Sequence, residues 1–234
     1  MGNQTLEIDS EHWRRILVDG ARDLGVALSA AQAAAMGRHA RELMTWNRVT
    51  NLTAITDPLA VALKHYVDAL AAVPGIGAHL RILDAGAGGG FPGIPIGIAR
   101  RDLNITLVDS VRKKISFLKY ALAALALDNV TAVHGRLEEL ARMPAFAGRF
   151  DLVVCRAFAA VSDFADLTLP FLAPGGRLLA MKGPQAAHDH EAGTPDADGT
   201  VVFGGKLFSM QIQPYTLPGL GDRRRLVWLT PASG

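Results

Sequence analysis

Apolar positions along the chain fall into two rhythms. Through residues 10–45 they recur at helical spacing: Trp13, Ile16 and Leu17 follow Ser10, and Ala33, Met36, Ala40 and Leu43 follow Ser29. A serine hydroxyl can accept from the free amides of a first helical turn, so two helices are predicted, with Ser10 and Ser29 as N-caps. Thr56-Asp57-Pro58 breaks the pattern, and a third helix with Ala62, His65, Tyr66 and Leu70 runs until Pro74-Gly75 stops it. From Arg81 onward short apolar runs take over: RILDAG, ITLVDS, DNVTAVHG, FDLVVCRA and GRLLAMKG, separated by helix-length segments at 92–100, 111–127, 136–143 and 162–172. Strand and helix alternating at this spacing predict a doubly wound, mostly parallel sheet. The last two runs, KLFSMQIQPY and RRLVWLT, have only a loop between them, which predicts an antiparallel hairpin at the sheet edge. Residues 185–200 are polar, rich in Gly, Pro and Asp and without period, and read as a mobile loop. The chain thus divides into a helical extension, 1–78, and an α/β domain, 79–234.

Composition narrows the class. Half of the 234 residues are hydrophobic, enough for a core and incompatible with global disorder. The single cysteine, Cys155, excludes an intramolecular disulfide and fits a reducing compartment. No basic start followed by an apolar run opens the sequence, and no apolar stretch is long enough to span a bilayer, so the expectation is a cytoplasmic protein without membrane contact. A net charge of +2 is compatible with a nucleic-acid partner without demanding one.

The sharpest chemical signal is RILDAGAGGGFPGIP. Asp84 ends a strand, and Gly86, Gly88 and Gly90 follow before a helix. Glycines there permit φ > 0 and close approach of a ligand, with the loop amides expected to point at it, and Pro92 suits a first helical position. The next strand ends in Asp109, nineteen residues beyond Gly90, where a carboxylate can hold both ribose hydroxyls. Gly88, Gly90 and Gly93 also match the nicotinamide-dinucleotide fingerprint, so an NAD(P)-dependent oxidoreductase stands as an alternative. S-adenosylmethionine is favoured by Asp84, placed to meet a methionine ammonium, by a loop without Arg or Lys, and by the terminal antiparallel hairpin.

With these residues the chain resembles the bacterial 16S rRNA 7-methylguanosine methyltransferases, the glucose-inhibited division protein B family. The resemblance is carried by WNRVTNLTAITDP at 46–58, HYVDAL at 65–70, LDAGAGGGFPGIPIGI at 83–98, LVDSVRKKISFL at 107–118, CRAFA at 155–159 and PGGRLLAMKG at 174–183. It implies a class I, Rossmann-like methyltransferase fold of seven strands and transfer of a methyl group from S-adenosylmethionine to nitrogen 7 of a guanosine in small-subunit rRNA; a monomer is the expectation, with the oligomeric state not fixed by the sequence. It implies cofactor contacts at Gly86, at Phe91 (where Leu is usual), at Leu137 and Glu138 after the third strand, and at Arg156. The chain departs from the family pattern at Ala69, where Ser is frequent, and at Arg223, where Glu is common. A small-molecule methyltransferase is the other alternative.

Guanine nitrogen 7 carries a free lone pair, so its methylation moves no proton and asks mainly for positioning and desolvation. No Asn/Asp-Pro-Pro-Tyr motif of exocyclic-amine methyltransferases follows FDLVV, and no general base is assigned. Arg156, at the carboxyl end of the fourth strand, is the candidate catalytic residue, able to hold a carboxylate or phosphate bidentately. Cys155 reads either as a covalent nucleophile or, favoured here, as a small buried apolar residue. Arg112-Lys113-Lys114, Arg223-Arg224-Arg225, Arg100-Arg101, Arg136 and Lys182 read singly as solvated charge and together as an RNA face. His188, His190, Glu191, Asp196 and Asp198 lack zinc spacing and read as solvated loop, so no metal site is expected. His65 and Asp68 share a predicted helix face at i, i+3, either pairing with each other or ordering the substrate side.

Overall fold

The computed structural model describes residues 6–156, 160–183 and 199–232. Both predicted caps form. Ser10 Oγ accepts from Trp13 N at 3.2 Å to open α1 (Glu11–Asp23), and Ser29 with Gln32 makes a reciprocal capping box at α2 (Ala30–Thr50). The third helical stretch is less regular than its periodicity predicts. It begins as α3 (Pro58–Val61), capped by Asp57, widens into a π-helical turn over Ala62–Val67, and ends as α4 (Asp68–Leu70). Trp13 Nε1 donates to Pro58 O at 2.8 Å, anchoring α1 to the start of this stretch. Gly20 of α1 lies so close to the π turn that an added Cβ would stand 2.9 Å from Val67.

The parallel strands are β1 (Arg81–Ala85), β2 (Asn104–Asp109), β3 (Val130–His134), β4 (Phe150–Cys155) and β5 (Leu172–Lys182). Between them run α5 (Gly93–Ala99), α6 (Arg112–Ala124), α7 (Leu137–Leu140) and α8 (Val161–Thr168). Three more strands follow, β6 (Thr200–Phe203), β7 (Lys206–Thr216) and β8 (Arg223–Pro231). The order is β3-β2-β1-β4-β5-β8-β7-β6, with β8 antiparallel to both β5 and β7. The sheet therefore has eight strands where seven are expected. The addition, β6, starts at the last residue of the stretch read as loop and turns into β7 through Gly204-Gly205. Its four residues give too short an alternation beside that polar stretch to register as a strand. The predicted hairpin forms, but β6 covers its outer edge. The remainder of that loop, including His188, His190, Glu191, Asp196 and Asp198, lies outside the described residues.

Side chains alternate across the sheet, and each face has its own core. One face packs Ile82, Leu152 and Leu179 against Trp13, Met36, Ile94 and Phe117, so the N-terminal helices share a core with α5 and α6. The other packs Leu83, Val153 and Leu178 against Leu140, Phe164 and Phe208. Each such side chain contributes about 1.5–3 kcal/mol on burial. Between these layers the carboxyl ends of β1, β4 and β5 are held at one edge. Among the described residues no helix is long and apolar enough to cross a membrane.

Candidate active site

The turn after β1 explains its glycines. Gly86, Gly88 and Gly90 adopt φ of 77°, 56° and 94°, where a side chain is strained. An added Cβ at Gly86 would meet nothing within 4 Å, so the turn faces open space. One expectation is corrected: the loop amides do not point outward. Gly86 N and Ala87 N both donate to Val108 O at 2.9 Å, Gly88 N donates to Asp109 Oδ2 at 3.0 Å, and Gly90 N donates to Ala87 O at 2.7 Å. Val108 O and the Asp109 carboxylate thereby tie the loop to β2.

A cavity of about 390 Å³ opens at this edge, lined among others by Gly86, Asp109, Lys114, Arg136, Leu137 and Glu138, with Leu167 contributed by α8. Asp109 Oδ1 accepts from Val111 N at 2.8 Å, and Lys114 Nζ stands 3.8 Å from Oδ2. Each carboxylate oxygen retains a second lone pair for a ligand hydroxyl. Asp84 sits behind the turn at 0% exposure. Its Oδ2 accepts from Gly93 N at 2.8 Å, while Oδ1 is buried without a hydrogen-bond partner. Burial foremost, with the Asp109 charge adding, pushes its carboxyl up to about 7 against the pull of Gly93 N and Arg156.

Arg156 and Phe91 lie on the side of the turn nearer the N-terminal helices, and neither lines the cavity. The Arg156 guanidinium donates to Lys64 O and to His65 Nδ1, both at 3.0 Å, and stands 4.9 Å over the Phe91 ring. Phe91 in turn stacks on His65, centroids 4.4 Å apart, and meets His39 and Tyr66. The structure thus joins Gly86, Asp109, Leu137 and Glu138 around one cavity, while Asp84, Gly88, Gly90, Phe91 and Arg156 lie in, behind or beside the adjoining turn, outside the cavity lining. Ala157, Phe158 and Ala159 lie outside the described residues.

His65 and Asp68 do not pair with each other. The widened π turn sends them apart, His65 to Thr53 and Arg156, Asp68 to Tyr215 Oη at 2.8 Å and Arg224 Nε at 3.3 Å. The predicted basic face is also corrected. Arg100 and Arg101 precede β2, at the amino edge of the sheet, and bond Asp102, Ile76 O, Gly77 O, Asn129 and Ala126 O there. Arg223, Arg224 and Arg225 do reach the carboxyl edge, lining with Gly183 and Tyr215 a second cavity of about 640 Å³, although Asp68 and Asp222 engage Arg224. Sequence reasoning passed over Thr53, Tyr215 and Leu167. The first stood in a quoted motif, but nothing local connects the other two to the site.

Cys155 is buried at 1% exposure at the end of β4. Cys155→Ala is accordingly expected to keep methyl transfer within about twofold of the parent in a labelled-methyl assay, since it removes only a small buried group. Complete loss would make the thiol a nucleophile. Among the described residues no cluster of His, Cys, Asp or Glu is arranged to hold a metal ion.

Comparison with known proteins gives a consistent answer. The sequence model of the family described as rRNA small subunit methyltransferase G matches residues 32–200. The chain is 44% identical over 214 residues to "Ribosomal RNA small subunit methyltransferase G" of Geobacter sp. strain M21, covering 92% of this chain and 95% of that one. To the protein of the same name from Leptothrix cholodnii it is 40% identical, covering 94% and 96%. Solved structures with the same fold include a predicted O-methyltransferase from Agrobacterium tumefaciens (TM-score 0.52, 19% identity, 71% of this chain and 80% of that one). Another is a SAM-dependent methyltransferase from Aquifex aeolicus (TM-score 0.53, 13% identity, 81% and 98%).

Proposed function

The chain belongs to the rRNA small subunit methyltransferase G family, and from that premise we propose that it transfers a methyl group from S-adenosylmethionine to ring nitrogen 7 of a guanosine in 16S rRNA, in the cytoplasm and as a monomer. The observation that carries the cofactor assignment is Asp84 Oδ1, a buried carboxylate oxygen without a partner beside the turn at Gly86. An ammonium supplies the charge and the N–H donors that this atom lacks. Asp109 would hold the ribose hydroxyls, and Leu137 with Glu138 the adenine side. Gly86, Gly88 and Gly90 form the floor, and Phe91 and Arg156 close the side toward the substrate. A dinucleotide fits poorly: its pyrophosphate needs outward amides, and those of Gly86, Ala87, Gly88 and Gly90 are already bonded within the protein. The antiparallel β8 inserted between β5 and β7 also departs from the strand order of the nicotinamide-binding sheet.

The bound donor supplies an electrophilic methyl on a sulfonium. The protein's own residues hold the guanine so that its lone pair meets that methyl in line, and they exclude water. The base becomes cationic, and no proton has to leave. His65 accordingly offers no base: both of its nitrogens are engaged, one by Arg156 and one by Thr53. Arg223 and Arg225, with Arg112 and Lys113 exposed at the start of α6, line the approach expected of an RNA strand, whose phosphates supply much of the affinity. Mass mapping of 16S rRNA from cells with and without this protein tests the reading. One 7-methylguanosine should vanish on deletion and return with the intact gene, whereas an unchanged methylation pattern would refute the substrate.

A further inference from the structure

The HYVDAL and NLT segments are joined to Arg156, ninety-one residues on from His65, by a part-buried chain of hydrogen bonds that passes through His65. Guanidinium groups only donate, so the bond between Arg156 Nη2 and His65 Nδ1 requires a lone pair on Nδ1. The proton of the neutral ring then sits on Nε2 and is donated to Thr53 Oγ1 at 2.8 Å. That oxygen also accepts from Ile55 N at 3.0 Å. Thr53 is itself fixed by Asn47, whose Oδ1 accepts from Leu52 N (2.7 Å) and Thr53 N (2.9 Å) and whose Nδ2 donates to Thr53 O (2.9 Å). The imidazole plane is held a third way, by stacking on Phe91 at an interplanar angle of 13°.

Arg156 is fixed correspondingly. One terminal nitrogen bonds Lys64 O, presented by the π turn, and the other bonds His65. Among the described residues no carboxylate forms an ion pair with this arginine. The guanidinium is thus aimed by two neutral acceptors, and three of its five N–H donors remain for a ligand. A carboxylate in place of His65 would orient the group equally well but neutralise it. An imidazole orients it without pairing its charge, which acts at longer range on Asp68 and Asp84. Burial and the guanidinium together hold His65 down to about 3, so the ring stays an acceptor throughout the working pH range.

We propose that His65, locked by Thr53, is the positioning residue that aims Arg156 at the substrate side of the cavity. The proposal rests on the reading that Arg156 acts in methyl transfer. His65 touches no reacting atom in it, and the WNRVTNLT segment acts solely through Thr53 and the ring.

Two amides separate the two ring nitrogens. Asparagine at 65 places a side-chain oxygen where Nδ1 stands and gives up Thr53. Glutamine reaches the Nε2 position and gives up Arg156. In single-turnover transfer to 16S rRNA in small subunits at saturating S-adenosylmethionine, His65→Gln is expected to lower the rate about a hundredfold, the scale of a misplacement near 1 Å. His65→Asn recovers most of that loss at a comparable melting temperature. In an Arg156→Ala background, His65→Gln costs nothing further, as expected for groups acting as one unit. Should His65→Gln fold poorly, Thr53→Ala and Thr53→Ser carry the test: the serine retains the oxygen and stays about tenfold more active than the alanine. Equal rates for His65→Asn and His65→Gln, or for the two Thr53 variants, overturn the proposal while leaving the role of Arg156 standing. Full turnover in Arg156→Ala instead overturns the role of Arg156, and the positioning of it falls as a consequence.

Discussion

Arg156→Ala is expected to lower the rate of methyl transfer by about 10²–10³ without unfolding the protein. The magnitude is that of removing one preorganised donor group from a reaction site. The side chain is engaged by Lys64 O, His65 Nδ1 and the Phe91 ring, so it stands in one place before substrate arrives. Truncation leaves two acceptors without their donor, a cost of about 1–3 kcal/mol each. Relief of the burial of the cation offsets part of that cost, although Asp68 and Asp84 favour the charge. Circular dichroism should therefore show a native fold with a modestly lower melting temperature, while single-turnover transfer to small subunits nearly disappears. Near-parental turnover would remove Arg156 from the reaction.

The second large effect is expected at Asp84, where affinity and stability move in opposite directions. In the unliganded protein its carboxyl is pushed up to about 7, chiefly by burial. A carboxyl whose folded value lies above its unfolded one contributes stability that is present at acid pH and lost as pH rises toward 7. Asp84→Asn removes that liability, so the unliganded variant should be the more stable above pH 7, by at most about 4 kcal/mol. The same substitution deprives an ammonium of its counter-charge, and S-adenosylmethionine affinity should fall about a hundredfold. In the parent protein, binding needs the charged carboxylate. Affinity should weaken as pH drops from 7 to 5.5, with protons released on binding at pH 6, seen by calorimetry in buffers of different ionisation enthalpy. Asp84→Asn should show neither effect. A parent affinity flat across this range would place the ammonium elsewhere.

What was legible in the sequence was what a single local cause determines. Ser10 and Ser29 cap helices because a hydroxyl meets free amides only two or three residues away, and both do so. Gly86, Gly88 and Gly90 mark a turn because only glycine enters those backbone angles cheaply, and all three lie there. Asp109 reaches the cavity because it ends a strand beside the turn. Direction and partnership were not legible. Nothing local tells that the loop amides turn back onto Val108 and Asp109, nor that a π turn sends His65 and Asp68 to different partners. Tyr215 reaches Asp68 across 147 residues of sequence. The basic runs could be counted, but only the topology separates Arg100 and Arg101, at the amino edge, from Arg223 and Arg225, at the carboxyl edge.

The assignment of the turn after β1 to S-adenosylmethionine is tested directly by titration calorimetry of the purified protein. S-adenosylmethionine should bind with one-to-one stoichiometry, Asp109→Ala should lose most of that affinity, and NAD should give no saturable heat. Saturable NAD binding, or S-adenosylmethionine affinity that survives unchanged in Asp109→Ala, would contradict it.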